Sequence, residues 1–205
     1  MRLYVIAMHS EAKDIIKKFT KIEDEIIDLY KNENIMVAIT NIGKVNASLA
    51  LSHLLTKYND INEVINIGFA GAYGDFYIGE KVLVNETKYH DFDLTIFNYK
   101  LGEVPNIKIP LVCDVKYLRH FYDLKRANLY TGDSFQTKKL DESYLADMEG
   151  AALSHVCHIY NKDFISIKVV SDLIEKSDIK DYVNFEEIGS KNIYNLFKLV
   201  ESRLI

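Results

Sequence analysis

The apolar residues of the chain follow two patterns. Short runs rich in Val and Ile, each of about four to eight residues, have the length and composition of buried β-strands. Between them, apolar residues return at intervals of about three and four residues, as they do on one face of a helix. The short runs predict strands at Leu3–Ala7, Ile35–Thr40, Val64–Ile67, Lys81–Asn85 and Phe164–Val170. The longer segments predict helices at Glu11–Phe19, Lys44–Tyr58, Asp147–Tyr160 and Phe185–Ile205.

The alternation of strands and helices predicts an α/β sandwich. In such a fold the central sheet is mostly parallel, and ligands bind in a crevice at the carboxyl ends of the strands. The chain has two prolines, Pro105 and Pro110, and neither a low-complexity stretch nor a repeat of solenoid length. Because nothing marks a linker, we expect residues 1–205 to form one domain.

Composition and charge narrow the class of partner. The 205 residues are 48% hydrophobic, which is enough for a stable core. Acidic residues number 30 against 25 basic ones, so the net charge of -5 gives no electrostatic reason to expect a nucleic acid. No apolar run approaches the roughly 18 residues of a membrane span, the first residues do not form a signal peptide, and Cys113 and Cys157 cannot build a disulfide framework. We expect a cytoplasmic protein that acts on a small soluble molecule and not at a membrane.

Glu11 lies just beyond the first predicted strand and opens the first predicted helix. One interpretation is that its carboxylate stabilises the helix N-terminus through the helix dipole and the free N–H groups there. The other is a catalytic base at a strand end. Taken alone, the position favours the first interpretation.

A run of small residues, Asn66 to Ala72, follows the predicted strand Val64–Ile67. Ala70 and Gly71 in this run would let the backbone approach a ligand closely. The run has neither the spacing of a dinucleotide-binding motif nor the Gly-Lys-Ser/Thr of a phosphate-binding loop. Tight packing of a strand against a helix explains it as well as ligand binding does.

Further carboxylates stand at Asp147, Glu149 and Asp172. Asp147 is a good helix N-cap, whereas Glu149 precedes a small-residue helix that would be buried, and a buried carboxylate is rare without a partner. Ser171 and Asp172 end an apolar strand, as turn residues also would. Because the carboxyl ends of parallel strands converge, we expect Glu11, Glu149 and Asp172 to face one crevice.

His155, Cys157 and His158 do not make a convincing metal site. Only the two histidines share a helical face, and a full ligand set is not visible. The aromatic stretch from Tyr89 to Tyr99 is better explained as core or interface packing than as a base-stacking surface, given the acidic charge. We expect neither a metal nor an organic cofactor.

Short motifs occur in order along nearly the whole chain. They are Ala7-Met8-x-x-Glu11, Gly43-Lys44-Val45-Asn46-Ala47, Asn66-x-Gly68-x-Ala70-Gly71, Tyr89-His90-Asp91-x-Asp93-x-Thr95, Gly132-Asp133-x-Phe135, Met148-Glu149 and Ser171-Asp172. Together they resemble the 5'-methylthioadenosine/S-adenosylhomocysteine nucleosidases of the nucleoside phosphorylase superfamily. The resemblance implies a single-domain three-layer α/β sandwich with a central twisted mixed β-sheet flanked by helices. It also implies hydrolysis of the bond between adenine and a 5'-substituted ribose.

The resemblance assigns a role to each candidate residue. Asp172, with a raised pKa, would protonate adenine at N7, and Glu11 would activate the attacking water. Glu149 would hold the ribose hydroxyls. The remaining substrate-binding positions are Met148 behind the ribose, Phe135 on the adenine ring, Ser171 beside Asp172, Ala70 and Gly71 in the small-residue run, and Phe185 at the thioalkyl pocket. In the homodimer that the resemblance implies, Phe97 and Pro105 would line the 5'-alkylthio pocket of the other subunit.

Two other functions stay open on the sequence alone. A phosphorylase would need cationic groups to clamp phosphate. None of the four arginines lies beside the N-terminal loop or the Gly68 loop; they are Arg2, Arg119, Arg126 and Arg203. A catalytically inactive nucleoside-binding protein is the second alternative. Phe69 stands where the family has Ser, and its side chain cannot hydrogen-bond Glu11 or a water. The segment between Phe135 and Met148 is also shorter than in the family.

Overall fold

Ten strands and five helices make up the parts of the chain that the computed structural model describes, residues 1–107, 111–112, 114–135, 142–174 and 179–204. The strands are β1 (Arg2–Ile6), β2 (Thr20–Ile22), β3 (Asp28–Asn32), β4 (Ile35–Ile39), β5 (Glu63–Tyr73), β6 (Lys81–Tyr89), β7 (Leu111–Val112), β8 (Lys125–Thr131), β9 (Tyr144–Asp147) and β10 (Asp163–Leu173). The helices are α1 (His9–Ile16), α2 (Lys44–Lys57), α3 (Val115–Leu118), α4 (Gly150–Tyr160) and α5 (Ile179–Arg203). No helix within these ranges is long and apolar enough to cross a membrane.

The sheet is mixed and partly closed on itself. β1 lies parallel between β4 and β5, and β5 continues parallel to β10. β10 then pairs antiparallel with β6, β6 and β8 are parallel, β8 and β9 are parallel, and β9 returns antiparallel to β5. The closed ring therefore consists of five strands, in the order β5, β10, β6, β8 and β9. β1 pairs with β5 outside this ring, and β4, β3 and β2 extend the sheet beyond β1. The mixed sheet implied by the family resemblance is confirmed, whereas the mostly parallel sheet expected from the alternation alone is wrong.

Helices cover both faces of the sheet, which gives three layers. On β1, Leu3 and Val5 belong to a core shared with α2 and α4, whereas Tyr4 and Ile6 belong to a core shared with α1 and α5. This division follows from the two-residue period of a strand, which sends successive side chains to opposite faces. Both sets are almost fully buried, so β1 runs through the centre of the molecule.

The small-residue run from Asn66 to Ala72 is part of β5 and not a loop after it. Gly68 pairs with Lys168, and Gly71 pairs with Asp172, on the neighbouring strand β10. No helix follows β5, because the chain continues to β6. Gly68 and Gly71 allow the Glu11 and Asp172 side chains to approach β5 closely. The helices that pack on this strand come from elsewhere in the chain, as the contact of Phe69 with Gly189 of α5 shows.

The hydrophobic pattern did not predict the strands that carry many polar residues. β2, β3 and β8 carry exposed charged residues, and only alternate positions of β8 are buried. Helix α4 begins at Gly150, three positions later than predicted, because Asp147 still belongs to β9. Cys113 and Pro110 lie outside the described residues, and Cys157 is buried in α4.

Candidate active site

An open cavity of about 640 Å³, counting the space at its mouth, lies where several strands end. Its walls come from the residues after β1, β4, β8 and β9 and from the second halves of β5 and β10. Glu11, Glu149 and Asp172 all line it. The expectation that these three carboxylates face one crevice is confirmed.

Glu11 is fixed in the cavity wall by two backbone N–H groups. The N–H of Phe69 donates to Oε1 at 2.7 Å, and the N–H of Met8 donates to Oε2 at 3.0 Å. Gly68 leaves room for the carboxylate, since a Cβ there would lie 2.9 Å from Oε1. Burial raises the pKa of Glu11, although both N–H groups and the ammonium of Lys168 oppose the shift. The carboxylate thus accepts a hydrogen bond at the start of α1, as the first interpretation expects, and it also faces the cavity. Its role as a catalytic base stays a prediction.

Lys168 is a buried cation beneath the carboxylates. Its ammonium lies 2.8 Å from Oδ2 of Asp147, and its side chain is 2% exposed. Asp147 also accepts hydrogen bonds from the hydroxyl of Thr131 at 2.5 Å and from the N–H of Gly150 at 2.9 Å. Burial by itself lowers the pKa of Lys168, but the attraction of Asp147 and Glu149 outweighs it and the pKa is raised. Lys168 therefore stays charged and compensates the negative charge around it.

Glu149 precedes α4, and its Oε1 accepts a hydrogen bond from the N–H of Gly43 at 2.9 Å. Its pKa is raised to about 7, first by burial and then by the nearby carboxylates of Asp147 and Glu11. Lys168 and the N–H of Gly43 act in the opposite direction. Glu149 is therefore protonated more readily than an exposed glutamate.

Asp172 and Ser171 reach the cavity together because β10 is irregular there. Its register against β5 shifts between Val170 and Asp172. In a regular strand two neighbouring side chains point to opposite faces, and an extra residue removes that restriction. The hydroxyl of Ser171 donates to Oδ1 of Asp172 at 2.6 Å. A Cβ at Gly71 would lie 3.0 Å from the other oxygen, so this glycine also makes room for a carboxylate.

Several of the predicted substrate-binding residues line the same cavity. Ala70 and Gly71 contribute backbone, and Met148 lies beside Glu149. Phe135 lines the mouth with 61% of its surface exposed. The shortened segment that follows it includes residues 136–141, which lie outside the described residues.

Three of the predicted substrate-binding residues, two phenylalanines and one proline, do not line the cavity of the single chain. Phe185 was expected at the thioalkyl pocket, but it is buried and its ring packs edge-to-face on Phe69 at a centroid distance of 5.2 Å. Phe69 lines the cavity and Phe185 does not, so the place of Phe185 at the thioalkyl pocket stays a prediction. Phe97 is 68% exposed, and Pro105 is partly buried outside the cavity. Their expected place in the pocket of a second subunit stays a prediction.

Phe69 contacts Glu11 through its backbone, because its side chain has no polar group. The ring packs against Gly189 of α5, where a Cβ would lie 2.2 Å from Cζ. The backbone N–H of the same residue makes the hydrogen bond to Glu11. The lack of a side-chain hydroxyl at this position therefore does not leave Glu11 without a contact from Phe69.

Sequence reasoning missed Lys168 and Gly43 as parts of the site. Lys168 interrupts the apolar strand Phe164–Val170, and a lysine in the middle of such a strand requires a buried acidic partner. That signal was available, but it does not identify Asp147 as the partner, which the structure provides. Gly43 acts through its backbone N–H, which the sequence does not distinguish from any other. Within the described residues, no group of three or more His, Cys, Asp and Glu side chains is placed to hold a metal ion.

Comparison with known proteins shows the family and the fold. The family model described as the phosphorylase superfamily matches residues 3–202. A solved structure of a Borrelia burgdorferi protein, assigned as a 5'-methylthioadenosine/S-adenosylhomocysteine nucleosidase and bound to adenine, is 30% identical. It superposes with a TM-score of 0.88 over 100% of both chains.

Two further similar proteins are also nucleosidases by name. The 5'-methylthioadenosine/S-adenosylhomocysteine nucleosidase of Bacillus cereus is 29% identical over 212 residues, which cover 90% of this chain and 91% of that protein. The S-adenosylhomocysteine nucleosidase of Streptococcus pyogenes, solved in complex with 5-methylthiotubericidin, is 22% identical and has the same fold. Its TM-score is 0.87, with 98% of this chain and 97% of that chain covered. The chain belongs to the phosphorylase superfamily and, within it, to the 5'-methylthioadenosine/S-adenosylhomocysteine nucleosidases.

Proposed function

We propose that this protein hydrolyses the N-glycosidic bond of 5'-methylthioadenosine, S-adenosylhomocysteine or a related 5'-substituted adenosine and releases adenine. The observation that carries the proposal is the convergence of three buried carboxylates, Glu11, Glu149 and Asp172, on one cavity. Cleavage of such a bond passes through a sugar with oxocarbenium character. It therefore requires an acid for the leaving base, a base for the water and negative charge near the sugar.

Asp172 is the proposed acid. Its carboxyl group lines the cavity, and the hydroxyl of Ser171 fixes the orientation of one oxygen. Protonation of adenine at N7 lets the base leave as a neutral molecule, which lowers the energy of the transition state. Gly71 allows the nucleobase to approach because no side chain stands between the strand and Asp172.

Glu11 is the proposed base, and Glu149 is the proposed ribose ligand. The raised pKa of Glu11 makes it a better proton acceptor from water than an exposed glutamate. Glu149 adds negative charge that stabilises the oxocarbenium-like sugar, and its carboxylate can accept hydrogen bonds from the ribose hydroxyls. Met148 beside it provides an apolar wall for the sugar, and Phe135 provides a ring that can stack on adenine.

Hydrolysis is favoured over phosphorolysis by the charges around the cavity. None of the described residues that line it is an arginine or a lysine. Arg2 pairs with Glu63 and Glu201, and Arg203 pairs with Asp123 at a separate surface. A phosphate dianion would therefore meet carboxylates rather than a cationic clamp.

A homodimer is part of the proposal. Val45 and Leu49 of α2 are 75% and 54% exposed, and Ile96 and Phe97 in the segment after β6 are 84% and 68% exposed. Large apolar side chains with this exposure are typical of a surface that a partner covers. In the dimer, Phe97 and Pro105 would contact the 5'-substituent bound by the other subunit. A cytoplasmic location stays a prediction from the sequence.

The test of the function is adenine release by the purified protein. We expect adenine and free 5-methylthioribose from 5'-methylthioadenosine, and adenine and S-ribosylhomocysteine from S-adenosylhomocysteine, each identified by chromatography and mass spectrometry. A folded protein that binds adenine but releases none from either substrate would favour the binding-only alternative. Comparison of kcat/KM for the two substrates then ranks the 5'-substituents.

Gly68→Ala tests the role of Glu11 without changing any polar group. The new methyl group would lie 2.9 Å from Oε1, so the carboxylate must leave the N–H of Phe69. We expect kcat to fall by about 10- to 100-fold, because displacement of a catalytic group by about 1 Å is enough for such a loss. The variant should fold normally, since Gly68 does not have a left-handed backbone. Unchanged kcat in a folded Gly68→Ala variant, checked by circular dichroism, would show that the position of Glu11 does not limit the reaction.

A further inference from the structure

Three of the sequence motifs each supply a residue that does not line the cavity, and these residues meet around the ammonium of Lys44. Lys44 is the first residue of α2 and does not line the cavity. Its Nζ lies 2.7 Å and 2.6 Å from the two carboxylate oxygens of Asp91, which follows β6. It also lies 3.6 Å from Oδ2 of Asp133, which follows β8. One cation thus joins the start of α2 to the segments that follow β6 and β8.

Backbone hydrogen bonds complete the connection between these loops. The N–H of Lys44 donates to Oδ1 of Asp133 at 2.9 Å, and the N–H of Asp133 donates to Asp91 at 2.8 Å. Asp91 therefore receives both the ammonium and an N–H group. Burial alone would raise the pKa of Asp91, but these two contacts lower it below its usual range. The Asp91 carboxylate is thus ionised and firmly bound.

The contacts of Lys44 with Asp91 and Asp133 connect two parts of the cavity. On one side, Gly43 precedes Lys44 and donates its N–H to Glu149. Gly43 has φ of +103°, and a Cβ there would lie 3.3 Å from Asp133, so the turn is fitted to that carboxylate. On the other side, Phe135 lies two positions after Asp133 and lines the mouth. The Lys44 contacts therefore join the residues proposed to hold ribose to the residue proposed to stack on adenine.

We propose that Lys44 is a positioning residue that, through Asp91 and Asp133, fixes the Gly43 N–H on Glu149 and the loop of Phe135 relative to each other. It does not touch the substrate. Its loss would loosen the ribose side and the nucleobase side of the site together. This role rests on the function proposed above, because it concerns the same cavity.

The charges that face Glu149 make the role measurable by pH. Asp147 and Glu11 raise the pKa of Glu149, and Lys168 and the Gly43 N–H lower it. Asp147, Glu11 and Lys168 are unchanged in a Lys44 variant. A weakened hydrogen bond from the Gly43 N–H therefore raises the pKa of Glu149 further. The acidic limb of kcat/KM, which reports groups in the free enzyme, then moves to higher pH.

The experiment compares Lys44→Met with Lys44→Arg and with a matched control, Lys88→Met. Lys88 is also a partly exposed lysine with a carboxylate neighbour, Glu86, and a nearby tyrosine ring, but it does not contact Gly43 or Asp133. Steady-state kinetics with 5'-methylthioadenosine are measured across the acidic and neutral range. For Lys44→Met we expect kcat/KM to fall by about 10- to 100-fold, with a raised KM and an acidic limb at higher pH. Lys44→Arg should recover most of the loss, and Lys88→Met should stay within about twofold of wild type.

Several results would overturn the role of Lys44. They are a Lys44→Met variant within about twofold of wild type at every pH, a loss with the acidic limb unmoved, and an equal loss in Lys88→Met. If Lys44→Met does not fold, Asp133→Ala takes its place, because Asp133 is half exposed and its loss breaks the same connection. If the wild type releases no adenine, the proposed function fails separately, and the adenine affinity of the same variants, measured by calorimetry, decides the role of Lys44.

Discussion

Asp172→Asn is expected to lose about 10²- to 10⁴-fold in kcat, which is the usual contribution of a positioned general acid. The amide has the shape of the carboxyl group, and the hydroxyl of Ser171 can still donate to its oxygen. It cannot supply an acidic proton to N7, so adenine would have to leave as an anion. Because the cavity keeps its shape, the affinity for adenine and the free energy of unfolding should change little. Steady-state kinetics, calorimetry with adenine and chemical denaturation measure these three quantities.

The matched control for this substitution lies on the same strand. Asp163 begins β10 at the end far from the cavity and forms a surface ion pair with Lys116. Asp163→Asn makes the same chemical change and should leave kcat unaltered. Turnover near the wild-type rate in Asp172→Asn would mean that another group protonates the base, and the assignment of the acid would be wrong.

Lys168→Met is expected to have the largest effect on stability. It leaves Asp147 as a buried carboxylate whose side-chain partners among the described residues are the Thr131 hydroxyl and the Gly150 N–H. Removal of one partner of a buried ion pair costs about 3–5 kcal/mol, because the remaining charge has no compensation. The pKa of Glu149 should also rise, since Lys168 is the cation that opposes the carboxylates around it. Turnover at neutral pH should therefore fall together with the free energy of unfolding.

A second substitution separates buried charge from lost packing. Asp147→Asn added to Lys168→Met removes the unpaired charge and should restore part of the lost stability. Lys116→Met is the surface comparison, because Lys116 and Asp163 are both well exposed, and pairs of this kind contribute about 1 kcal/mol or less. If urea unfolding gave the same small loss for Lys168→Met as for Lys116→Met, Lys168 would not be the charge partner of Asp147.

Hydrophobic periodicity predicted the central elements of the fold because those elements are buried. The predicted strands at Leu3–Ala7 and Ile35–Thr40 match β1 and β4 to within one residue. β8 was missed because it starts with Lys125 and Arg126 and buries only alternate residues. β5 was cut short at Ile67 because glycine and alanine do not look like strand residues. In the structure they provide space for Glu11 and Asp172.

The sequence predicted the acids of the site better than the groups that hold them. Glu11, Glu149 and Asp172 follow or end strands, and fold topology brings strand ends together. The hydrogen bond from Gly43 to Glu149 joins residues more than a hundred positions apart and uses a backbone N–H. Phe185 was placed at the thioalkyl pocket by resemblance, and in the structure its ring packs on Phe69. Such side-chain packing depends on both partners and is not encoded at either position alone.

The dependence of adenine release on phosphate tests the central claim most directly. Initial rates with 5'-methylthioadenosine are compared in phosphate-free buffer and in the same buffer with added phosphate, with ³¹P NMR to detect any sugar phosphate. Hydrolysis predicts equal rates and no phosphorylated sugar, because the described cavity walls offer carboxylates and no cationic clamp. Release that requires phosphate, with 5-methylthioribose 1-phosphate as a product, would contradict it and show that the protein is a phosphorylase.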